Sequence, residues 1–356
     1  MHLIDLLARR AVPAAGVSIG LTRRCPLSCA HCATSSTAFG DDVAGDVLLR
    51  FVATFGREDP PEVVAMSGGE PLLRPHLVRE IAERARDFGC RSTVLSGMFF
   101  ARSGRIPKPI ARAIDAVDHF SVSLDVFHER EVPRINVLRV LEAVLADGTD
   151  VSIHVVGLHA DDPYLEEITG EVRRTFDDRV PMFVNTVNAY GRAAEWHVPA
   201  APPPLTEVVA DPCQLAAWPL VGWDGTITAC GNEDVVDGPA PSHLRLGHAA
   251  TDAWPVVQAR CRASSMMRAI RLYGPEYVAD RVSGGIPGCD GYCATCMKLT
   301  DDPALEPLVE ELMAAPAVRV LERAAERMTR EAGALQFARR YGPPRYAELT
   351  TLGAAS

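Results

Sequence analysis

Residues 17–32 read VSIGLTRRCPLSCAHC, a short β-branched run that ends in three cysteines, Cys25, Cys29 and Cys32. The same spacing returns in CDGYCATC, residues 289–296, with Cys289, Cys293 and Cys296. A β-branched run bounded by turn formers predicts a strand, and the loop after a strand's end can present thiols outward. Three thiolates on one loop can each take one iron of a cubane and leave the fourth iron without a protein ligand. Structural zinc is the competing reading, but it asks for four ligands, and His31 cannot easily bind the same ion as both its neighbours.

Five more runs of this kind follow: VVAMSG (63–68), STVLSG (92–97), FSVSLD (120–125), VSIHVVGL (151–158) and MFVNTV (182–187). The segments between them carry a helical period. Val43, Val47, Leu48, Phe51, Val52 and Phe55 share one face, and Leu77, Val78, Ile81, Ala82, Ala85 and Phe88 share another. VPRINVLRVLEAVLADG (132–148) has Pro133 at its start and Gly148 past its end, the expected starter and cap. Strands alternating with helices predict βα units and a parallel sheet, an α/β fold.

The run AAPPPL (200–205) holds neither helix nor central strand and predicts a boundary between a first domain, 1–200, and a cysteine-bearing region, 201–299. Residues 300–356 predict a helical extension of two amphipathic helices, with the final TTLGAAS frayed.

Composition narrows the classes. A formal net charge of −10 and no Lys/Arg run argue against nucleic acid as a partner. No apolar run approaches the roughly 18 residues of a membrane span, and MHLIDLLARR mixes charges into its apolar positions as a signal peptide would not. The expectation is a cytoplasmic protein without a membrane partner. Its ten cysteines should then stay reduced, which points to metal or redox chemistry more than to disulfides. Cys90 and Cys261 read as buried thiols; the two triplets do not.

The second strand runs directly into Ser67-Gly68-Gly69-Glu70-Pro71, two glycines where backbone must approach something closely. Alone, this is a tight turn. Together, the cysteine triplet after the first strand and Gly68-Gly69-Glu70-Pro71 after the second resemble the radical S-adenosylmethionine (SAM) enzymes. The resemblance implies a partial (β/α)6 TIM barrel with its active site at the C-terminal ends of the strands. It implies that Cys25, Cys29 and Cys32 bind a [4Fe–4S] cluster whose open iron takes the amino and carboxylate groups of SAM. Gly68, Gly69, Glu70 and Pro71 match the motif that receives the methionyl amino group. In the family, one electron cleaves SAM to methionine and a 5′-deoxyadenosyl radical, which abstracts hydrogen from an unactivated C–H bond; flavodoxin or ferredoxin is the implied type of reductant.

Strand-end residues Ser96, Ser123, Asp125 and His154 would face the barrel mouth, where the family uses polar residues for SAM; a capping or core role explains each equally well. NAYGRAAEW (188–196) resembles the stretch that follows the sixth strand in relatives, which would place Gly191 and Arg192 near the adenosine side. No catalytic acid or base is evident: His128 offers one, but a helix start accounts for it.

Downstream, WDGTI (223–227) predicts a hairpin that holds Cys230. Cys213, a G-x4-C hairpin and a later C-x2-C resemble the auxiliary-cluster domains called SPASM and twitch. The resemblance implies one auxiliary [4Fe–4S] cluster on Cys213, Cys230, Cys293 and Cys296. Cys289 is a fifth candidate for four places, and a four-thiolate zinc site uses the same residues.

For substrate, the SPASM and twitch groups imply a ribosomally made peptide that is cross-linked or otherwise oxidised in natural-product biosynthesis. The motif starts at Cys25, which leaves no room for a fused leader-binding domain and suggests a separate leader-binding protein. The alternative is oxidation or rearrangement of a sugar-like or aminocyclitol metabolite. A groove with Asp125, Glu129 and Glu131 would suit a cationic peptide or an amino sugar.

Overall fold

The computed structural model describes residues 1–198, 208–283 and 291–354. All six expected strands form. The chain runs α1 (Leu3–Arg10), β1 (Gly16–Gly20), α2 (Gly45–Val52), β2 (Val63–Ser67), α3 (Pro75–Asp87), β3 (Arg91–Ser96), α4 (Lys108–Ala116), β4 (His119–Ser123), α5 (Val126–Glu129), α6 (Arg134–Ala146), β5 (Asp150–Gly157), α7 (Pro163–Phe176) and β6 (Met182–Thr186). These strands pair in parallel in chain order.

The two faces of this sheet differ in chemistry. Val17, Ile19, Val64, Met66, Val94, Phe120, Val122, Ile153 and Val184 join the main core under the helices. The alternate residues are small or polar: Ser18, Ala65 and Thr93 pair across β1, β2 and β3, Ser121 pairs with Ser152, and Ser123 with His154. A sheet buried on one face and hydroxyl-rich on the other curls into a wall around a polar lumen.

After β6, β7 (Leu220–Val221), β8 (Thr226–Thr228), α8 (Glu233–Asp237) and β9 (Arg245–His248) follow. The expected hairpin is β7–β8, and β7 pairs in parallel with β1, so the cysteine-bearing region extends the barrel's own sheet to nine strands. Helices α9 (Trp254–Ala263), α10 (Ser265–Tyr273), α11 (Pro275–Ser283) and α12 (Tyr292–Lys298) complete that region. Its anchor is Trp254, fully buried, with its ring 5.7 Å from that of Phe55. The expected boundary, AAPPPL, lies outside the described residues, as does Cys289.

The two helices expected beyond residue 301 are α13 (Leu305–Ala314) and α14 (Pro316–Tyr341), the latter kinked at Gly333. The end of α14 packs with α1 against the barrel floor, where Leu3, Leu7, Phe183, Phe337 and Ala347 form a separate buried cluster. The residues expected to fray do not all do so: a 3-10 helix covers Pro344–Thr351, Thr350 is fully buried, and His2 Nε2 lies 2.9 Å from the Leu352 carbonyl oxygen. The apolar partner that orders them, β6, is distant in sequence and carries no local signal.

Among the described residues, no helix is long and apolar enough to cross a membrane.

Candidate active site

The cysteine loop leaves β1 and is fixed by the turn that leaves β2. Gly69 N–H donates to Thr22 O at 2.6 Å and Glu70 N–H to Arg24 O at 2.8 Å. Gly68 has φ +137°, and a Cβ there would overlap the Thr22 carbonyl oxygen; one at Gly69 would overlap that of Arg24. The paired glycines thus let the turn lie flat on the chain that leads into Cys25.

Glu70 is fully buried, and Pro71 follows it into a short 3-10 turn. The Glu70 carboxylate accepts from Ser96 Oγ and Gly97 N–H at 3.0 Å and from Leu72 N–H at 2.9 Å. Burial pushes its pKa up to about 7, against donors that favour the ionised form. Glu70 and Ser96 therefore brace the ends of β2 and β3 together.

Cys29 is buried, and Cys25 and Cys32 are partly so. Burial pushes the Cys25 thiol up to about 12, with the nearby Glu70, Cys29 and Cys32 adding to it. A thiol so raised holds its proton until a metal centre takes its place.

Arg192 clamps this loop: Nε donates to Cys29 O at 2.9 Å, Nη1 to Ser36 O at 2.5 Å, and its backbone N–H to Cys32 O at 3.0 Å. Gly191, at φ +53°, lies so close that a Cβ would overlap the Ala33 carbonyl oxygen. Trp196 Nε1 adds a bond to Ala30 O at 2.9 Å. Arg192 thus spends its guanidinium on the cysteine loop, a partnership its position after β6 did not suggest.

Asp125 is also fully buried. It caps α5 through Phe127 N–H and His128 N–H, meets His128 Nδ1 at 2.9 Å and stands 3.4 Å from His31 Nε2. Burial opposes its charge, yet His128 and then His31 hold its pKa well below the usual carboxylate range. His31 stacks on Phe127 at 4.3 Å, and its Nδ1 is buried without a partner among the described residues. Sequence reasoning named Asp125 and His128 singly but missed the trio, because His31 reaches them from the cysteine loop, distant in sequence from α5.

The acidic groove is already neutralised. Glu129 accepts from Arg134 Nε at 2.7 Å and Tyr164 Oη at 2.5 Å, while Glu131 accepts from Arg102 at 2.8 Å and from Ser28 N–H. Ser123 and His154 are register partners on the lumen face. His154 Nε2 is buried without a partner among the described residues, and burial takes its pKa down to about 4.

The second thiol group assembles from three elements. Cys213 N–H donates to Ile270 O at 3.1 Å, Cys230 follows β8, and Cys293 and Cys296 lie one turn apart on α12. Burial raises the Cys296 thiol well above its ordinary pKa, followed by the charges of Cys230, Cys213 and Cys293. His243 Nε2 lies 3.8 Å from Cys296 Sγ. Among the described residues, only His31, Asp125 and His128 bring three ligand atoms within 4.8 Å of one another.

Residues 19–172 match the family model of the Radical SAM superfamily. A curated Bacillus subtilis protein named for peptide biosynthesis, YydG, is 24% identical over 129 residues, 35% of this chain and 40% of that protein. A Methanopyrus kandleri protein named as a GTP 3′,8-cyclase is 31% identical over 153 residues, 39% of this chain and 47% of that protein. The chain thus spans less than half the length of these two curated relatives. Streptococcus suis SuiB overlays with TM-score 0.51 at 11% identity, over 76% of this chain and 71% of that one. SuiB bound to its precursor peptide SuiA overlays with TM-score 0.53 at 12% identity, over 85% and 77%. That likeness concerns the fold. The cysteine loop from Cys25 and its glycine turn lie inside the matched span, so residues 19–172 carry the match to a radical SAM superfamily domain.

Proposed function

We propose that the protein cleaves SAM reductively at Cys25, Cys29 and Cys32 and uses the product to oxidise or cross-link a ribosomally made peptide. The observation that carries this reading is the cysteine loop seated on the Gly68-Gly69-Glu70 turn at adjacent strand ends, above a polar lumen. When bound, the cluster and SAM supply one-electron cleavage and hydrogen abstraction. The chain's own residues orient and shield: Arg192 and Trp196 fix the loop, Glu70 and Ser96 brace the strand ends, and Pro71 starts the turn behind them. Asp125, with His31 and His128, stands beside Cys29, while Ser123 and His154 line the lumen.

Cys213, Cys230, Cys293 and Cys296 would hold one auxiliary [4Fe–4S] cluster, an electron acceptor for an oxidative reaction. Their mutual proximity supports a shared centre, which four thiolates can build as a cluster or as zinc. The name of YydG and the peptide bound to SuiB favour a peptide substrate. A sugar-like substrate is the second reading, favoured by the hydroxyl-rich lumen. Flavodoxin or ferredoxin would supply the electron.

The test uses anaerobically reconstituted enzyme. Cys29→Ala should abolish 5′-deoxyadenosine formation, whereas Cys293→Ala should keep it and lose product. Equal loss in both folded variants would sink the division of labour. Incubation with size-fractionated, deuterium-labelled cell extract then separates the substrates: label entering 5′-deoxyadenosine from the peptide fraction supports the first reading, and from the small-molecule fraction the second.

A further inference from the structure

Helix α8 stands between the two cysteine sets and belongs to neither. Its cap residue, Asn232, follows Cys230 by two positions, and the Asn232 N–H donates to Cys230 Sγ at 3.4 Å. Asn232 Oδ1 accepts from Asp234 N–H at 2.9 Å, and its carbonyl oxygen accepts from Val235 and Val236 N–H at 3.0 Å, as a helix cap does. With Oδ1 so engaged, the amide presents Nδ2 outward, and Nδ2 donates to Tyr190 Oη at 3.2 Å.

Tyr190 is the residue before the clamp on the first cysteine loop. Gly191 lies so close to that loop that a Cβ would come within 2.1 Å of the Ala33 oxygen and 2.4 Å of the Cys32 oxygen, and Arg192 N–H donates to Cys32 O at 3.0 Å. The other end of α8 reaches the same loop by a separate route. Asp237 Oδ2 accepts from Arg23 Nη2 at 3.1 Å, and that nitrogen also donates to Thr34 O at 3.1 Å. The Arg23 guanidinium carbon sits 5.0 Å from the centroid of the Trp223 ring in the β7–β8 turn, which holds the arginine from a third side.

Two independent routes thus leave one short helix and end on one loop. Coupling between sites is carried by an element that both of them bias. The downstream site biases α8 through Cys230. Thr228 Oγ1–H donates to Cys230 O at 2.9 Å, so the backbone there is held and the sulfur is left to rotate about χ1. A metal centre fixes that rotamer, and with it the acceptor of the Asn232 N–H.

We propose that α8 couples the two sites, with Tyr190 and Arg23 as positioning residues, so that filling the downstream centre tightens the loop of Cys25, Cys29 and Cys32. This rests on a downstream centre at Cys230, as read above, and not on its identity, since iron–sulfur and zinc both pin the ligand sulfur. Linkage makes the effect reciprocal: a filled first site tightens the downstream one by the same factor.

The test is amide hydrogen exchange of residues 28–37, read by mass spectrometry on the anaerobically reconstituted full chain. With the downstream centre filled, Tyr190→Phe should speed this exchange about fivefold, the worth of one hydrogen bond. In Cys213/Cys230/Cys293/Cys296→Ala the loop should already exchange faster, and Tyr190→Phe should add nothing. If that variant does not fold, Cys230→Ala alone supplies the same background. Asp237→Asn should repeat the pattern through Arg23. Equal acceleration by Tyr190→Phe in both backgrounds would reduce Tyr190 to local packing, and none in either would remove it from the coupling; each result overturns the proposal. Metal content of Cys25/Cys29/Cys32→Ala separates the two readings: neither iron nor zinc bound there means that the downstream centre itself has failed, whereas bound metal with additive exchange rates condemns only the coupling.

Discussion

At the scale of single residues, backbone approach governs the site more than side-chain chemistry does. Gly69→Ala must push Arg24 away or unseat the turn, so we expect a loss of about 1–3 kcal/mol and failure to retain the SAM-binding cluster. Thermal melts and iron content of Gly69→Ala beside wild type check this; full iron would refute it. Arg192→Lys keeps the charge but cannot span Cys29 O and Ser36 O, and should lose about 1.5–3 kcal/mol of loop anchorage. Faster iron loss to a chelator would show it, and an unchanged rate would count against the clamp. Gly68, Gly69 and the cysteines were legible because motif and spacing are local. The target of Arg192 was not, because its partners are backbone carbonyls more than a hundred residues away, and carbonyls carry no sequence signature.

At the scale of elements, the βα alternation was readable because helix and strand periods are local and mutually consistent here. What the period left out was the chemistry of the lumen face. His119 on β4 is fully buried, within 2.8 Å of Met1 O and of Ser152 Oγ, and burial takes its pKa down to about 4, like that of His154 on β5. Both rings fold in the neutral form, with pKa values below the usual 6.5. Between pH 6.5 and 4 the unfolded chain binds more protons, so stability should be intact above pH 6.5 and fall as the pH drops toward 4. The loss should approach roughly 3 kcal/mol per ring. Urea midpoints across this range should fall for wild type and fall less for His119→Asn; parallel curves would remove His119 as a cause.

At the scale of the whole molecule, the downstream cysteine-bearing region is stitched to the barrel through β1–β7, and the last described residues sit under the barrel floor. Sequence divided the chain into three serial parts; contacts between distant segments are what such a division cannot see. Phe337→Ala should cost about 3–5 kcal/mol, because the cluster with Phe183 and Leu3 would lose its centre. A midpoint within about 1 kcal/mol of wild type would show that the floor can collapse to fill the gap.

That floor joins residues separated by almost the full chain, His2 meeting Leu352 across 350 positions. A ribosome releases the wall strands first and the floor last. Until Phe337 and Ala347 emerge, β6 has no apolar cover beneath it, so the base of the barrel closes only after both cysteine sets have been made. Enclosure then doubles as a checkpoint: a chain cut short before Phe337 would present both cysteine sets and still leak.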